Sequence, residues 1–147
     1  MRINKLKKTK KELIFLEKTH GFRKPYQILC EDKFVSRFGK YKLTPRLFES
    51  LLGKDCKLFI TECSYKQFLS RNETDNRLIK HIKIKNCNHT GDKSTFECIN
   101  EIVGTNNRFH YFIACDDKSI IENFNNHLHI PFIKLKGSAL VLQNHRK

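Results

Sequence analysis

The strongest constraint on this chain is a short run of metal-ligating residue types in its second half. Cys87, His89 and Cys98 lie close together in sequence. Zinc prefers thiolate and imidazole ligands in tetrahedral sets of four, so a fourth ligand is needed. We favour Cys63, because it directly follows a predicted strand and can face the loop between His89 and Cys98. Four protein ligands leave no position for a reactive water, so the site would be structural.

Spacing alone leaves the identity of the site open. Cys56, His81 and Cys115 are rivals for the fourth position. Cys-x-His is not one of the commoner zinc spacings, and cysteine is often simply buried. Zinc binding and plain burial are therefore about equally supported by the spacing.

The six cysteines also bear on the cellular compartment. The chain begins with a basic segment that is followed by further lysines and not by the apolar stretch of a secretory leader. We therefore expect a reducing compartment and no disulfide framework. An apolar run near the length of a bilayer is missing, so we expect no membrane partner.

The positive charge of the chain favours an anionic partner, and nucleic acid is the first candidate. The chain carries 29 Lys and Arg against 15 Asp and Glu, a formal net charge of +14. Residues 1–24 hold half of this excess and predict a basic helical arm, with the helix over residues 5–18. The alternative is a solvated helix that only aids solubility. The residues of the arm expected to contact RNA are Arg2, Lys5, Lys7, Lys8, Lys10, Lys11, Arg23 and Lys24.

Apolar runs and helix signals alternate through residues 25–147. Strands are predicted over 26–30, 57–61, 82–85, 111–115, 131–135 and 139–142, and helices over 34–38, 44–52, 64–70, 75–80, 94–103 and 119–126. Thr44 is expected to cap the second of these helices. The alternation predicts one α/β domain with a mainly parallel sheet. Tyr111 and Phe112 can stack on RNA bases, but their strand-like run predicts burial.

Acidic residues follow three of the predicted strands, at Glu31, Glu62, Asp116 and Asp117. The carboxyl ends of parallel strands share one edge of a sheet, where ligands gather. Such acids can hold Mg²⁺ or Mn²⁺ for a nuclease. Acids at these positions also commonly cap the next helix, and composition alone favours that interpretation roughly two to one.

Five short motifs resemble one family when they are taken in chain order. They are Arg23-Lys24-Pro25-Tyr26-Gln27-Ile28-Leu29, Thr61-Glu62-Cys63, Asn86-Cys87-Asn88-His89, Glu97-Cys98 and His110-Tyr111-Phe112-Ile113-Ala114. Together they resemble the Utp-twenty-three branch of the PIN-domain ribosomal-RNA-processing proteins over nearly the whole chain. They favour this branch over its sister, Fcf-one, which is expected to keep the nuclease acids.

The resemblance implies a fold, a metal and a role. The fold would be a PIN-like domain over residues 25–147, a central sheet flanked by helices with a structural zinc-binding insertion. Carried over by position, the Zn²⁺ ligands fall on Cys63, Cys87, His89 and Cys98. The role would be that of a nucleolar ribosome biogenesis factor in early small-subunit pre-rRNA processing. Its partners would be pre-rRNA, an H/ACA-class small nucleolar RNA in a snoRNP, and other small-subunit processome proteins, with the chain a monomer in that particle.

The acids of a PIN nuclease are incomplete by the same resemblance. Glu31 stands where the family pattern has Asp, Gln67 replaces a helical acid, and Asp117 remains. A neutral amide removes one anionic ligand. We therefore expect an inactive nuclease site in an RNA-binding protein, with an Mg²⁺- or Mn²⁺-dependent endoribonuclease as the alternative. The chain stops soon after Leu142, so we expect none of the long basic tail of larger members.

Overall fold

A computed structural model describes residues 2–71, 76–87, 89, 91, 93–124 and 130–144, with side chains described from residue 7 to residue 143 of these ranges. The described residues form α-helices, a short 3-10 helix and one sheet. The helices are α1 (Arg2–His20), α2 (Asp32–Lys40), α3 (Arg46–Leu52), α4 (Glu62–Leu69), the 3-10 helix Leu78–His81, α5 (Thr95–Val103) and α6 (Lys118–Asn123). The strands are β1 (Tyr26–Cys30), β2 (Cys56–Thr61), β3 (Ile82–Lys85), β4 (Tyr111–Ala114), β5 (Pro131–Lys136) and β6 (Ala139–Asn144).

The six strands form a single sheet in the order β3-β2-β1-β4-β5-β6. Neighbouring strands run parallel except for β6, which is antiparallel to β5. The two central strands, β1 and β4, are covered on both faces, which explains why they are the most continuously apolar runs of the sequence. The mainly parallel sheet predicted from the sequence is confirmed.

Helices pack on both faces of the sheet. On one face, α2, α3 and α4 pack a phenylalanine-rich core in which the rings of Phe38 and Phe48 lie 5.6 Å apart. On the other face, α5 and α6 pack against β1, β4 and β5, with Ile99 and Ile113 fully buried. The second face therefore has a helical cover over its central strands.

Helix α1 contains the predicted helix 5–18 and extends beyond it at both ends. Leu16 and Phe22 are buried in the core of the first face, and the Phe22 ring meets that of Phe112 edge-on at 5.3 Å. The hydroxyl of Tyr26 donates to Glu17. The carboxyl end of the arm is thus packed on the domain, while the division at residue 24 stays a prediction.

Several helix boundaries differ from those predicted. Thr44 does not cap α3, because Pro45 is the N-cap residue and makes no side-chain cap. In place of the helix predicted over 75–80, the structure has the 3-10 helix Leu78–His81, and residue 75 lies outside the described residues. Oδ1 of the buried Asn76 accepts from the amides of Leu78 and Ile79 at its start. The predicted helix 119–126 is shorter as α6, and residues 125 and 126 lie outside the described residues. Within the described residues, none of the helices is both long and apolar enough to cross a membrane.

Candidate metal centre and acidic edge

Cys63, Cys87, His89 and Cys98 lie in one cluster, with a ligand atom of each residue within 4.8 Å of the others. Cys63 lies in the first turn of α4, which Thr61 caps through its hydroxyl. Cys87 and His89 follow β3, and Cys98 is carried by α5, which Ser94 caps. Three separate elements therefore bring together the ligands that the resemblance implied.

The spacing of the donor atoms fits a tetrahedral ion. Cys87 Sγ lies 3.4 Å from the sulfurs of both Cys63 and Cys98. His89 Nε2 lies 3.4 Å from Cys63 Sγ and 3.3 Å from Cys98 Sγ. Ligands at zinc bond lengths would stand about 3.5 to 3.8 Å apart in a tetrahedron, slightly wider than these distances. The set of three sulfurs and one nitrogen is the chemistry that zinc prefers.

Contacts behind the ligands orient them. His89 Nδ1 lies 3.1 Å from the carbonyl oxygen of Gly91, so a proton on Nδ1 leaves Nε2 free to face the sulfurs. The amide of Cys63 donates to Cys87 Sγ at 3.4 Å. Both contacts are of the kind that supports ligands in metal sites.

Burial and hydrogen bonds give the three thiols different pKa values. Burial raises the pKa of Cys98 to about 12 and also raises the pKa of Cys63. Burial opposes ionisation of Cys87 too, but hydrogen bonds from the Cys63 amide and neighbouring groups lower its pKa below the ordinary value. Cys87 is therefore the first thiol to ionise, and a bound cation would supply the charge that the other two need.

The rival ligands lie elsewhere. Cys115 is fully buried beside β4, and Cys56 starts β2 next to Tyr26 of β1. His81 is exposed at the end of the 3-10 helix. Among the described residues, none of these three joins the cluster, and Cys63 is its fourth member.

The acids that follow β1 and β4 lie at one edge of the sheet. The Glu31 amide donates to the carbonyl of Ala114 at 2.9 Å, which places the ends of the two strands together. Glu31 is 1% exposed, and its carboxylate caps α2 by accepting from the amides of Lys33 and Phe34 at 3.0 and 3.1 Å. Burial is the largest influence and raises the pKa of Glu31 to about 7, with the neighbouring Asp32 adding to the rise.

The other acids of this edge are paired with cations. Asp32 is buried and accepts from Arg71 at 2.6 Å. Asp116 accepts from Arg37 and from the Leu135 amide, each at 2.8 Å. We call Glu31, Asp32, Asp116 and Asp117 the acidic edge.

Asp117 caps the last helix. It accepts from the Ser119 amide at 3.0 Å and hydroxyl at 2.7 Å, and these bonds lower its pKa. Its second oxygen lies 3.9 Å from Lys33 Nζ. Asp117 therefore acts as a helix cap in this structure, as the alternative interpretation of the sequence proposed.

Glu62 and Gln67 both lie on α4. Glu62 is about half exposed and pairs with Lys66 at 3.6 Å. The Gln67 side chain is exposed. Within the described residues, neither side chain has a hydrogen bond or an ion pair with the acidic edge. The roles predicted for Glu31, Asp117 and Gln67 therefore stay predictions.

The basic residues expected to contact RNA lie along α1 and just after it. Lys7, Lys8, Lys10 and Lys11 are exposed. Lys24 is exposed as well, and Arg23 uses Nη1 to hold the carbonyls of Glu17 and Phe22, each at 2.9 Å. Arg2 and Lys5 lie in α1, but the structure does not describe their side chains.

Sequence reasoning missed the residues that tie these sites together. Arg37 and Arg71 neutralise two acids, and the Thr61 hydroxyl interacts with Cys98 as well as capping α4. An ion pair between residues far apart in sequence leaves no local pattern, so only the signal for a cap at Thr61 was available.

Three similarities to known proteins agree with this geometry. The chain matches the Fcf1 family over residues 50–144. It is similar to the rRNA-processing protein utp23 of Schizosaccharomyces pombe, with 26% identity over 151 residues, which is 97% of this chain and 58% of that protein. The chain thus spans a little over half the length of this curated relative.

The fold is also similar to a solved structure, that of the PIN domain endonuclease Utp24. The TM-score is 0.67 at 17% identity, over 82% of this chain and 93% of the other. This likeness bears on the fold alone, and it confirms the predicted PIN-like α/β fold. Since the family match extends over more than half of the residues, the chain is a member of the Fcf1 family with a PIN-like α/β fold.

Proposed function

We propose that this protein is an RNA-binding ribosome biogenesis factor of the small-subunit processome, acting in early small-subunit pre-rRNA processing with an inactive nuclease site. Similarity to a protein named for rRNA processing supports the biological setting. The net charge of +14 supports an RNA partner. The proposed partners are pre-rRNA, an H/ACA-class small nucleolar RNA and other processome proteins, and the proposed location is the nucleolus, where the chain is a monomer in the particle.

The state of the acidic edge is the observation that carries this proposal. A metal-dependent nuclease needs carboxylate oxygens that are free to bind a divalent cation. Here Asp32 and Asp116 pair with arginines, while Glu31 and Asp117 cap helices. A cation at this edge would have to compete with these contacts for the carboxylate oxygens.

An RNA cleavage assay tests the inactive site. The purified protein is incubated with labelled single-stranded RNA and excess Mn²⁺, and we expect the RNA to stay intact. The second candidate function, an Mn²⁺- or Mg²⁺-dependent endoribonuclease, is favoured by the gathering of four acids at one sheet edge. Cleavage by the wild type that is abolished by Asp117→Asn would establish that candidate and refute ours.

The arm can be tested without removing core residues. Deleting residues 1–24 would also remove Leu16 and Phe22 from the core, so charge neutralisation is the cleaner change. Replacing Lys7, Lys8, Lys10 and Lys11 by Gln should lower the slope of log affinity against log salt by about 0.7 per lost phosphate contact. The same replacement at Lys118 and Lys136, which are exposed on other elements, is the control. An unchanged slope would remove the arm from the interface.

Zinc is the proposed occupant of the cysteine and histidine cluster. Cys63, Cys87, His89 and Cys98 would hold the ion and leave it no open position, so its contribution would be structural. Elemental analysis of protein purified without chelator should find stoichiometric zinc. A different metal, or none, would refute this assignment while leaving the RNA proposal standing.

A further inference from the structure

Part of one sheet face carries cations and aromatic rings in place of a helical cover. On the face that α5 and α6 cover, β2 contributes only the partly buried Phe59 to the core. Lys57 lies on this same face of β2 and is exposed, and β3 places the exposed Lys83 beside Phe59. The outer strands of this face are therefore basic and open within the described part of the chain.

A turn before β4 places an aromatic ring beside this face. Phe109 is 57% exposed, and the guanidinium carbon of Arg108 lies 5.8 Å from its ring centroid. Gln27 of β1 pairs with Lys57 of β2, and its Nε2 donates to the Phe109 carbonyl at 3.1 Å. We call Lys57, Phe59, Lys83, Lys85, Arg108 and Phe109 the aromatic-basic patch.

Contacts of Asn107 and His110 fix the turn that carries Phe109. Asn107 is buried, and its side chain donates to the Tyr111 carbonyl at 3.0 Å and accepts from the Tyr111 amide at 2.8 Å. The His110 ring packs on Phe22 with centroids 4.9 Å apart. An exposed ring on an anchored turn loses little conformational freedom when a planar ligand stacks on it.

Lys85 contacts Phe59 of the patch and the buried ring of Tyr111 behind it. Its Nζ lies 5.2 Å from the Phe59 centroid and 4.9 Å from the Tyr111 centroid, and it donates to the Tyr111 hydroxyl. Among the described residues, no carboxylate pairs with Lys57, Lys83, Lys85 or Arg108. The patch is therefore positive and interleaved with ring faces.

We infer that the aromatic-basic patch binds single-stranded RNA, with an unpaired base stacked on Phe109 beside Arg108 and phosphates on Lys57 and Lys83. Interleaved rings and cations are how proteins hold single strands, because every base has a stacking face and every nucleotide carries a charge. This inference rests on the proposed RNA-binding function. It extends that function to the turn before β4, where the His110 ring packs on Phe22 at the carboxyl end of the arm.

Affinity measurements give the first test. A fluorescein-labelled single-stranded RNA of mixed sequence is titrated with the full chain and followed by anisotropy. Phe109→Ala should weaken binding by roughly tenfold or more with an unchanged salt slope, because stacking is not ionic. Tyr41→Ala is the matched control, since Tyr41 is similarly exposed at 50% but lies at the end of α2. The pair Lys57→Gln and Lys83→Gln should instead lower the salt slope by about 0.7 per contact.

Fluorescence gives a direct readout of stacking. The chain has no tryptophan, so Phe109→Trp introduces a single indole that an RNA base should quench on binding. Tyr41→Trp should bind the same RNA with no quenching. Thermal unfolding of all variants should match the wild type, since the four side chains replaced are exposed.

The outcomes separate this inference from the proposed function. The patch alone would be overturned if Phe109→Ala binds RNA with wild-type affinity and Phe109→Trp shows no quenching. In that case RNA binding would still depend on the lysines of α1. Failure of the wild type to bind RNA at low salt would overturn both. Quenching of Phe109→Trp by an acidic peptide and not by RNA would assign the patch to a protein partner and overturn the inference.

Discussion

The two clusters of metal-ligand residues in this protein differ in what already occupies their donor atoms. In the cysteine and histidine cluster, the sulfurs of Cys63 and Cys98 each lie 3.3 to 3.4 Å from Cys87 Sγ and His89 Nε2, and all four donor atoms lie within 4.8 Å of one another. At the acidic edge, arginine side chains and backbone amides take up the carboxylate oxygens. Ligand-type residues alone therefore do not define a metal site, and the partners of their donor atoms decide between a cation and a protein contact.

The difference has a thermodynamic consequence. A set of donors that face one another gains stability when a cation joins them. Carboxylates that pair with arginine already have their countercharge, and a divalent ion would compete with it. Substitutions in the cysteine and histidine cluster should therefore change how the protein responds to added metal, whereas substitutions at the acidic edge should not.

The largest effect is expected from Cys87→Ser. The change removes the thiol with the lowered pKa, and with it binding energy on the order of 10 kcal/mol in small zinc domains. We expect zinc content to fall below stoichiometric and the melting transition to drop to that of chelator-treated wild type. Cys56→Ser, outside the cluster, should keep both properties. A Cys87→Ser protein with wild-type zinc content and melting would show that Cys87 is not a zinc ligand.

Arg71→Met tests the acidic edge. The change leaves Asp32, whose side chain is 2% exposed, without its cation and should cost about 3 kcal/mol in the free energy of unfolding by urea. Lys66→Met is the control, because its partner Glu62 is exposed and the loss should stay under about 1 kcal/mol. Adding Asp32→Asn to Arg71→Met should recover part of the loss. Equal effects of the two single changes would show that Asp32 does not need its arginine.

The raised pKa of Glu31 gives the acidic edge a pH signature. The folded protein keeps a proton on Glu31 up to about pH 7, whereas the unfolded chain releases it near the ordinary glutamate value of about 4.3. Stability should therefore fall as pH rises between these values, by roughly 4 kcal/mol at most.

Glu31→Gln should flatten this slope, because glutamine can still accept a backbone amide and does not titrate. Urea unfolding across the window measures the slope, and Glu62→Gln, at an exposed acid, should retain it. The same slope in Glu31→Gln and wild type would assign the titration to another group. Asp117 has a lowered pKa, so the stability it contributes is lost at lower pH, as the solution becomes acidic through its folded pKa.

The smallest effect is expected from Asp117→Ala. Loss of the cap on the Ser119 and Ile120 amides should cost about 1 kcal/mol in stability. Excess Mn²⁺ should leave the melting temperature of both the wild type and this variant unchanged. A rise in the wild type that Asp117→Ala abolishes would place a cation at the acidic edge and break the contrast between the clusters.

Local patterns predicted the fold well where burial is continuous. The apolar runs of β1 and β4 are covered on both faces, so their limits were visible in the sequence. Ser94 signalled the start of α5 because a capping hydroxyl acts within three residues. The start of α3 was missed because Thr44 has a capping side chain but lies one residue too early, and Pro45 takes that position without a cap.

The candidate sites were harder to predict because their partners are distant in sequence. Spacing could not choose between Cys63 and its rivals, and the family resemblance supplied the ligand set. The pairing of Asp32 with Arg71 depends on how α2 and α4 pack, which no periodicity encodes. Phe109 was also missed, because an exposed ring on a turn resembles any other loop residue until the sheet beside it is known.

The order of strands also sets the order in which the chain can complete its fold. β1 lies between β2, which follows soon after it, and β4, whose Tyr111 pairs with Gln27. A chain made from its amino end can form the layer of β1, β2 and β3 first, but one side of β1 then stays unpaired until β4 is available. Pulse-labelled hydrogen exchange should therefore find the amides of β2 protected before those of β4. Equal protection times would show that the sheet closes in a single step.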